Sequence, residues 1–572
     1  MRFHALACDY DGTIAHHGGV DEATLAALER VRASGRKLLL VSGRELEDLV
    51  TVFPRLDLFD RAVLENGAVL YDPATRTLRA LAEAPPPAFA ERLTARGVGP
   101  ISVGHVIVAT WEPHQNTTLE VIHELGLELQ VIFNKGAVMV LPSGVNKAFG
   151  LRCALDELGL SRHNVVAVGD AENDHAFLSV CECAVAVANA LPTLAERADW
   201  VTEKDHGNGV QQLVHELIED DLRRVMSGVL RDALCLGTDA DGKPLLVQPY
   251  TAPVMIAGTS GAGKSTLATA LLEQLAERDY QFCILDPEGD YSQLEGAMLF
   301  GDPQRAPAVG EILEVLAKPH QKAVANLVGI PLADRPNFFL GLFSRLLELR
   351  SHTGRPHWLV VDETHHLLPH TLDDGAFTLP REPHGMLLLT VHPESVSPQL
   401  LATVGTVVAI GETPRETLAA FAKAVGVPPP SVDPRPLAPG EGVAWLRTPG
   451  RELPPIHFKG TAPKGEHLRH VRKYAAGDLG PDRSFYFVGP DGKLNLRAQN
   501  LQVFMQIAEG VDDATWTFHL ARGDVAKWFR EYIKDDDLGR EAEEIARTPD
   551  LSPSASRNRI KDAIDRRYSA PA

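Results

Sequence analysis

The chain has 572 residues, 44% hydrophobic and 23% charged, with 47 Gly, 40 Pro and 6 Cys. That length predicts about three domains, and the composition excludes a disordered, collagen-like or disulfide-scaffold protein. A net charge of -20, from 76 acidic and 56 basic residues, argues against a chain that coats nucleic acid non-specifically.

In chain order, the N-terminus runs straight into an apolar strand, FHALACDYDGTI, with no layout of a secretory leader. No apolar run approaches the ~18–20 residues of a bilayer span, so the expected location is cytoplasmic, with no membrane partner. The strand ends in Asp9-Tyr10-Asp11-Gly12-Thr13. Two carboxylates two residues apart at a strand end suit phosphoryl transfer: one attacks phosphorus, the other moves the leaving-group proton. A second buried strand, Lys37–Val41, ends in Ser42-Gly43-Arg44, where a hydroxyl and backbone N–H groups can hold a phosphate oxygen. Lys147 opens a helix and can offset charge there. A third strand, VVAVGDAENDHAF, delivers Asp170 and Asp174, further oxygen donors for a hard cation.

This ordered set resembles the haloacid dehalogenase phosphatase superfamily, and most of all its Cof-type, sugar-phosphatase-like branch, over about residues 1–220. The resemblance implies a Rossmann-like fold, with Asp9 as nucleophile and Asp11 as general acid/base. It implies Mg²⁺ on Asp9, the Asp11 carbonyl and Asp170, supported by Asp174, and a phosphate on Ser42 and Lys147. Glu65-Asn66-Gly67 is similar to the asparagine-glycine turn of this branch. Ala148 stands where a glycine commonly follows the lysine. Residues 84–140 read as helix, strand (Ile101–Ala109), helix (Asn116–Leu125) and strand (Leu127–Phe133), a small α+β cap suited to a small phosphate ester or a nucleic-acid end. His16-His17 are read as a solvated loop. Cys181 and Cys183 have no second Cys pair at zinc spacing.

A helix over Gly209–Leu230 leads to a second α/β unit, with boundaries expected near 225 and 460. Strand, glycine-rich loop and helix follow in TAPVMIAGTSGAGKSTLATALLEQL. Gly258, Gly261 and Gly263 shape a phosphate-binding loop, Lys264 reaches the β/γ-phosphates, and Ser265 with Thr266 completes the nucleotide and Mg²⁺ site. In HWLVVDETHHLL, Asp362 can hold the Mg²⁺ shell and Glu363 can polarise the attacking water; His365 and His366 are read as helix-surface residues. With FCILDPEGDY and two later apolar strands, the stretch 235–458 resembles the HerA/FtsK P-loop ATPases. That resemblance implies a RecA-like domain, ATP as ligand, a hexameric ring of identical chains, and DNA as a frequent partner. The strand tip Thr390-Val391-His392 lacks the expected glutamine or asparagine sensor. Arg345, Arg350, Arg355 and Arg381 are the candidates for an arginine finger.

From Lys459 onward 19 Lys and Arg balance 18 Asp and Glu. This segment reads as a strand at Ser484–Val488, a turn at Gly489–Lys493 and then helices. Trp516, Phe518, Trp528 and Phe529 are assigned to a small core, and the helix SRNRIKDAIDRRY to a solvated basic face. His519, Asp524, Trp528, Ile533, Asp535 and Leu538 form a pattern similar to a small domain appended to some bacterial proteins. Together the units are expected to make a Mg²⁺-dependent phosphatase coupled to a ring-forming ATPase that delivers substrate to it or regulates it. Nucleic-acid processing or anti-phage defence is the expected setting. A polynucleotide kinase-phosphatase and a sugar phosphatase on a nucleotide-gated scaffold are the alternatives.

Overall fold

The computed structural model describes residues 1–292, 294–372, 380, 383–447, 454–464, 474–475, 479, 483–533 and 535–568. Arg381 lies outside them.

The N-terminal region forms an eight-stranded sheet. Its order is Trp200–Val201, Cys183–Ala186, Val165–Gly169, Ala5–Asp9, Lys37–Val41, Arg61–Leu64, Val69–Asp72 and Thr77–Ala80. The first six are parallel and the last two antiparallel. Ala5–Asp9 and Val165–Gly169 are buried along their whole length, as unbroken apolar runs must be when helices cover both faces. Ala5 pairs with Val165, so Asp9 and Asp170 emerge side by side at the carboxyl edge. That edge is where open parallel sheets bind ligands.

The cap is a separate four-stranded antiparallel sheet, ordered Ser102–Val103, Val108–Trp111, Ala137–Pro142 and Leu129–Asn134, with helices Pro87–Ala95 and Gln115–Glu124. The expected single strand at Ile101–Ala109 is two short strands. The chain reverses at Gly104, whose N–H bonds the Ile107 carbonyl. The expected helix over Gly209–Leu230 is also broken: His206–Asp220 ends at Asp221 and Leu222, both with φ of 58°, before the short turn Arg223–Met226. Two left-handed residues in succession cannot continue an α-helix.

A second, eleven-stranded mixed sheet spans Leu234 to Gly460. Its parallel part runs Thr406–Ile410, Val254–Ala257, Met386–Thr390, Trp358–Val361, Phe282–Asp286, Ala323–Asn326 and Met298–Phe300. Four antiparallel strands, including Ile456–Gly460, extend the other edge, so residue 458 falls inside a strand.

The C-terminal region is a two-stranded hairpin, Phe485–Phe487 and Leu496–Ala498, under helices Leu501–Gly510, Asp513–Ala521, Asp524–Glu531, Asp536–Arg547 and Pro553–Tyr568. Trp516, Trp528 and Phe529 are buried in its core; Phe518 is half-buried under Arg522. His519 accepts from the Val488 amide and pairs with Asp524, while Asp535 caps the helix that follows it. The pattern noted in the sequence is therefore a packing and capping pattern. The basic last helix presents a solvated face, as expected, with Arg559, Lys561 and Arg566 exposed, and much of its charge is paired at the surface. Arg557 pairs with Asp513, Lys561 with Glu509, and Arg566 and Arg567 with Glu541.

The two large sheets meet at the amino ends of their central strands. His163 stacks on Tyr280 with ring centroids 3.6 Å apart. Tyr280 donates to Glu182 at 2.9 Å, and Glu182 also binds His163 at 2.5 Å and pairs with Arg2. His357 contacts Asn164 at 3.2 Å, and the Arg355 guanidinium donates to the Gly159 carbonyl at 2.8 Å. Arg2, Asn164, Tyr280 and His357 lie just before strands that lead to Asp9, Asp170, Asp286 and Asp362 respectively. Among the described residues no helix is long and apolar enough to cross a membrane.

Candidate functional site

At the carboxyl edge of the first sheet, carboxylate oxygens of Asp9, Asp170 and Asp174 lie within 4.8 Å of one another, and all three residues are buried. Lys147, 1% exposed, opens the helix Lys147–Leu158 and lies 2.5 Å from Asp9 and 2.6 Å from Asp174. Thr13 donates to Asp9 at 3.1 Å and reaches Asp170 at 3.3 Å. Asp174 also accepts the amides of Asp170 and Ala171, both at 2.9 Å, which fixes the loop that carries the third carboxylate. Burial, then the Asp174 charge, pushes the Asp9 carboxyl up to about 7. Burial works to lower the Lys147 ammonium, but Asp174 and Asp9 outweigh it and hold it above its usual value. Three carboxylates around one point, with the Asp11 carbonyl beside them, are a donor set that fits a hard divalent cation.

Ser42 is buried at the end of its strand, its Oγ accepting the Arg44 amide at 3.2 Å. Arg44 grips Asp11 with two hydrogen bonds of 2.7 Å and also holds Asp48. The sequence shows the serine-glycine-arginine turn but not this clamp, which fixes the second carboxylate as a planar fork can.

The Glu65-Asn66-Gly67 turn is left-handed at all three residues, with φ of 48°, 55° and 104°. Its carboxylate reaches the cap: Glu65 accepts the amides of His105, Val106 and Ile107 at 2.8–2.9 Å. A side chain at Gly67 would strike the Asn146 carbonyl, and one at Gly150 would strike Val63 and Gly67. The tight approach next to the lysine helix is thus met at Gly150, and Ala148 is accommodated. Glu65→Ala removes the acceptor of three amides, two of them buried, so we expect a loss of about 2–3 kcal/mol. Thermal melts and faster hydrogen exchange at residues 102–108 are the readouts.

Lys135 was not anticipated. It sits at the tip of the cap hairpin, and its ammonium lies 3.0 Å from the Asp11 carbonyl and 2.9 Å from Asp170. His16 and His17 are exposed, as the solvated-loop reading expects, with the His206 ring 4.3 Å from His16. Cys181 and Cys183 are buried free thiols. The residue between them, Glu182, is the one that matters.

In the second sheet, the strand Val254–Ala257 leads into the glycine-rich loop and then the helix Lys264–Glu277. Gly261 and Gly263 have φ of 80° and 97°, and a side chain at Gly258 would strike the Ile410 carbonyl. Lys264 donates to the Gly258 and Thr259 carbonyls at 3.0 and 3.1 Å. Ser265 and Thr266 follow in the first helical turn. Asp286 gathers four amides of its own turn, Glu288 through Tyr291, at 2.7–3.3 Å, and so closes the DPEGDY loop. Burial, then Asp286 and Glu363, raises Asp362 well above the usual carboxylate range. Glu363 is left-handed at φ 42°, a strained placement of the kind that collects at functional sites.

His365 is not a helix-surface residue. It is 11% exposed, 3.1 Å from Thr390 and 3.4 Å from Glu363, and burial followed by His366 lowers it to about 4. His392, at the strand tip that lacks a glutamine or asparagine, is exposed and held by Glu394 at 3.2 Å. Of the arginine candidates, Arg350 and Arg355 are spent on buried carbonyls. Arg345 is exposed.

Comparison with known proteins agrees with this geometry. The profile of haloacid dehalogenase-like hydrolases matches residues 6–85 and 105–214. A phosphoglycolate phosphatase of Haloarcula marismortui is 30% identical over 219 residues, covering 36% of this chain and 95% of the relative. The chain belongs to the haloacid dehalogenase-like hydrolases. Another phosphoglycolate phosphatase, from Methanothermobacter thermautotrophicus, is 29% identical over 229 residues, 37% of this chain and 98% of the relative. A haloacid dehalogenase-like hydrolase structure from Bacteroides thetaiotaomicron is 17% identical, with a TM-score of 0.34, over 38% of this chain and 99% of its own. The central domain of the helicase HerA matches residues 251–336, so this hydrolase carries a HerA-like domain as well.

Proposed function

We propose that this protein is a bifunctional enzyme: a phosphomonoesterase over residues 1–225, an ATP hydrolase over 226–458, and an accessory unit over 459–572. The observation that carries the first activity is the convergence of Asp9, Asp170 and Asp174 on one point beside Lys147.

Asp9 attacks the phosphorus and forms an aspartyl-phosphate. Asp11, held by Arg44, gives a proton to the leaving oxygen and then takes one from the water that cleaves the intermediate. Ser42 binds a phosphate oxygen, and Lys147 offsets the negative charge on Asp9 and Asp174. Mg²⁺ would be held by Asp9, the Asp11 carbonyl and Asp170, with Asp174 behind them, and would supply neutralisation of the transferring phosphoryl group. The cap lies over the site, with its Lys135 against Asp170. The Met139 sulfur lies 3.7 Å from where a side chain on Gly43 would begin. A small ester fits this best, and the relatives' name makes phosphoglycolate the first to test.

In the ATPase half, Gly258, Gly261, Gly263, Lys264, Ser265 and Thr266 would cradle the triphosphate. Asp362 would hold its Mg²⁺ through the metal shell, and Glu363 would orient water. The HerA-like match supports a ring of identical chains, six in number, with DNA as partner and nucleic-acid processing or defence as the setting. A panel of 2-phosphoglycolate, sugar phosphates, nucleotides and 3′-phosphorylated DNA, assayed with and without ATP and DNA, tests both halves. Hydrolysis of no phosphoester with Mg²⁺ would refute the phosphatase reading. A monomer by mass photometry with and without ATP would refute the ring.

A further inference from the structure

The cap hairpin puts a positive charge on the two oxygens that a metal would use. Strands Leu129–Asn134 and Ala137–Pro142 are joined by two residues only, Lys135 and Gly136, with φ of 49° and 86°. Such a turn favours Asn or Gly at its first position, because a positive φ crowds any larger side chain. Here the position carries a lysine, and its ammonium reaches the Asp11 carbonyl at 3.0 Å and Asp170 at 2.9 Å. Backbone strain at a loop tip that touches the Asp170 carboxylate and the Asp11 carbonyl is a reason to look for a role.

The other cations of the site have carboxylate partners of their own. Arg44 faces Asp11 and Asp48, and Lys147 faces Asp9 and Asp174. Lys135 alone comes from the cap, and its side chain is 48% exposed. An ammonium and a divalent cation cannot share the Asp11 carbonyl and Asp170: like charges at that spacing repel strongly in a partly buried site.

We propose that Lys135 is a latch that competes with the metal for these two oxygens. Displaced by the metal, it turns to bind an anionic leaving group, a carboxylate on a small phosphoester. This rests on the phosphatase reading above. Metal loading and cap opening are then linked, because the cation can enter only as the hairpin tip lets go. The released ammonium stays at the site mouth, tethered by a two-residue turn, where it meets the part of the ester that does not carry the phosphate. A carboxylate is the smallest group that matches it.

The test uses the full chain and Lys135→Met. Mg²⁺ affinity by titration calorimetry, with no substrate present, is expected to be on the order of tenfold tighter in the variant. Hydrogen exchange over residues 129–142 is expected to rise on Mg²⁺ addition in the wild type and to be indifferent to it in the variant. The ratio of kcat/KM for 2-phosphoglycolate to that for para-nitrophenyl phosphate is expected to fall about tenfold or more, the effect of losing one ion-pair partner. Equal Mg²⁺ affinity in the two proteins overturns the latch, and an unchanged ratio overturns the carboxylate contact. A wild type that hydrolyses neither ester refutes the phosphatase reading itself, while the calorimetry still decides whether the lysine and the metal compete.

Discussion

Asp9→Asn is expected to lower phosphatase turnover by about 10⁴-fold or more while ATP hydrolysis persists, and Lys264→Ala to do the reverse. Removing a nucleophile costs this much because the remaining groups can bind and polarise but cannot form the covalent bond. The amide is nearly isosteric, and Lys147 and Thr13 keep partners in Asp174 and Asp170, so the fold should survive. The independence of the two losses follows from the fold. Both sheets present the aspartates proposed for catalysis at carboxyl edges, and they touch at the opposite, amino edges through His163, Tyr280, His357 and Asn164. At ~3.3 Å per residue, two strands of four or five residues end to end place the sites on the order of 30 Å apart. Colorimetric phosphate release from each substrate, measured on both variants, checks the pair. Phosphatase activity retained in Asp9→Asn removes the nucleophile assignment. Joint loss of both activities in either variant contradicts the separation. The same distance argues against one site handing its product to the other, and leaves regulation through the junction as the way they would communicate.

Asp9, Lys147, Asp170 and Asp174 could be read from the sequence because each is written into a local pattern, at the end of an apolar strand or the start of a helix. Their convergence follows from strand pairing, which places Ala5 opposite Val165. Lys135 had no such pattern. It is one lysine in a surface hairpin, and only the folding of the cap over the sheet brings it to Asp170. Glu65 likewise belongs to a recognisable turn, yet its three bonds are to amides forty residues away. His365 was misplaced because the helix it belongs to, Thr364–Leu367, is one turn long and packed against Thr390, so a surface argument from helical periodicity has too little helix to work on. The last helix is solvated, as read, with Arg559, Lys561 and Arg566 exposed, but its charge count alone says little about its surface. Its net basic charge is real, but the acidic residues that meet it, Glu509, Asp513 and Glu541, lie on three other helices of the same small unit. Charge counts along a chain do not report which charges fold together.

Glu182→Ala is expected to cost about 3–5 kcal/mol and to let the two halves of the chain melt separately, because it removes one partner of a buried ion pair and leaves the other uncompensated. Glu182 is 3% exposed and serves Arg2, His163 and Tyr280 at once. Burial works to raise its carboxyl, but Arg2 and then His163 outweigh it, so the group is held well below its usual value. A carboxyl depressed on folding contributes stability that is present above its unfolded value of about 4.3 and fades as pH falls toward the folded value. The gap between wild type and variant is therefore expected to be full at pH 7 and to narrow below about pH 4. Thermal melts at both pH values, with limited proteolysis of the connection between Asp221 and Leu234, read this out. A single unchanged transition in the variant would show that apolar packing alone joins the halves. Glu182→Gln separates charge from shape: it keeps the bond to Tyr280 but loses the ion pair, and should fall between the two. If the ATPase acts on the phosphatase at all, this variant is also where the influence should weaken. Glu182 sits one residue before the strand Cys183–Ala186, next to the strand that ends at Asp170, and Tyr280 sits two residues before the strand that ends at Asp286.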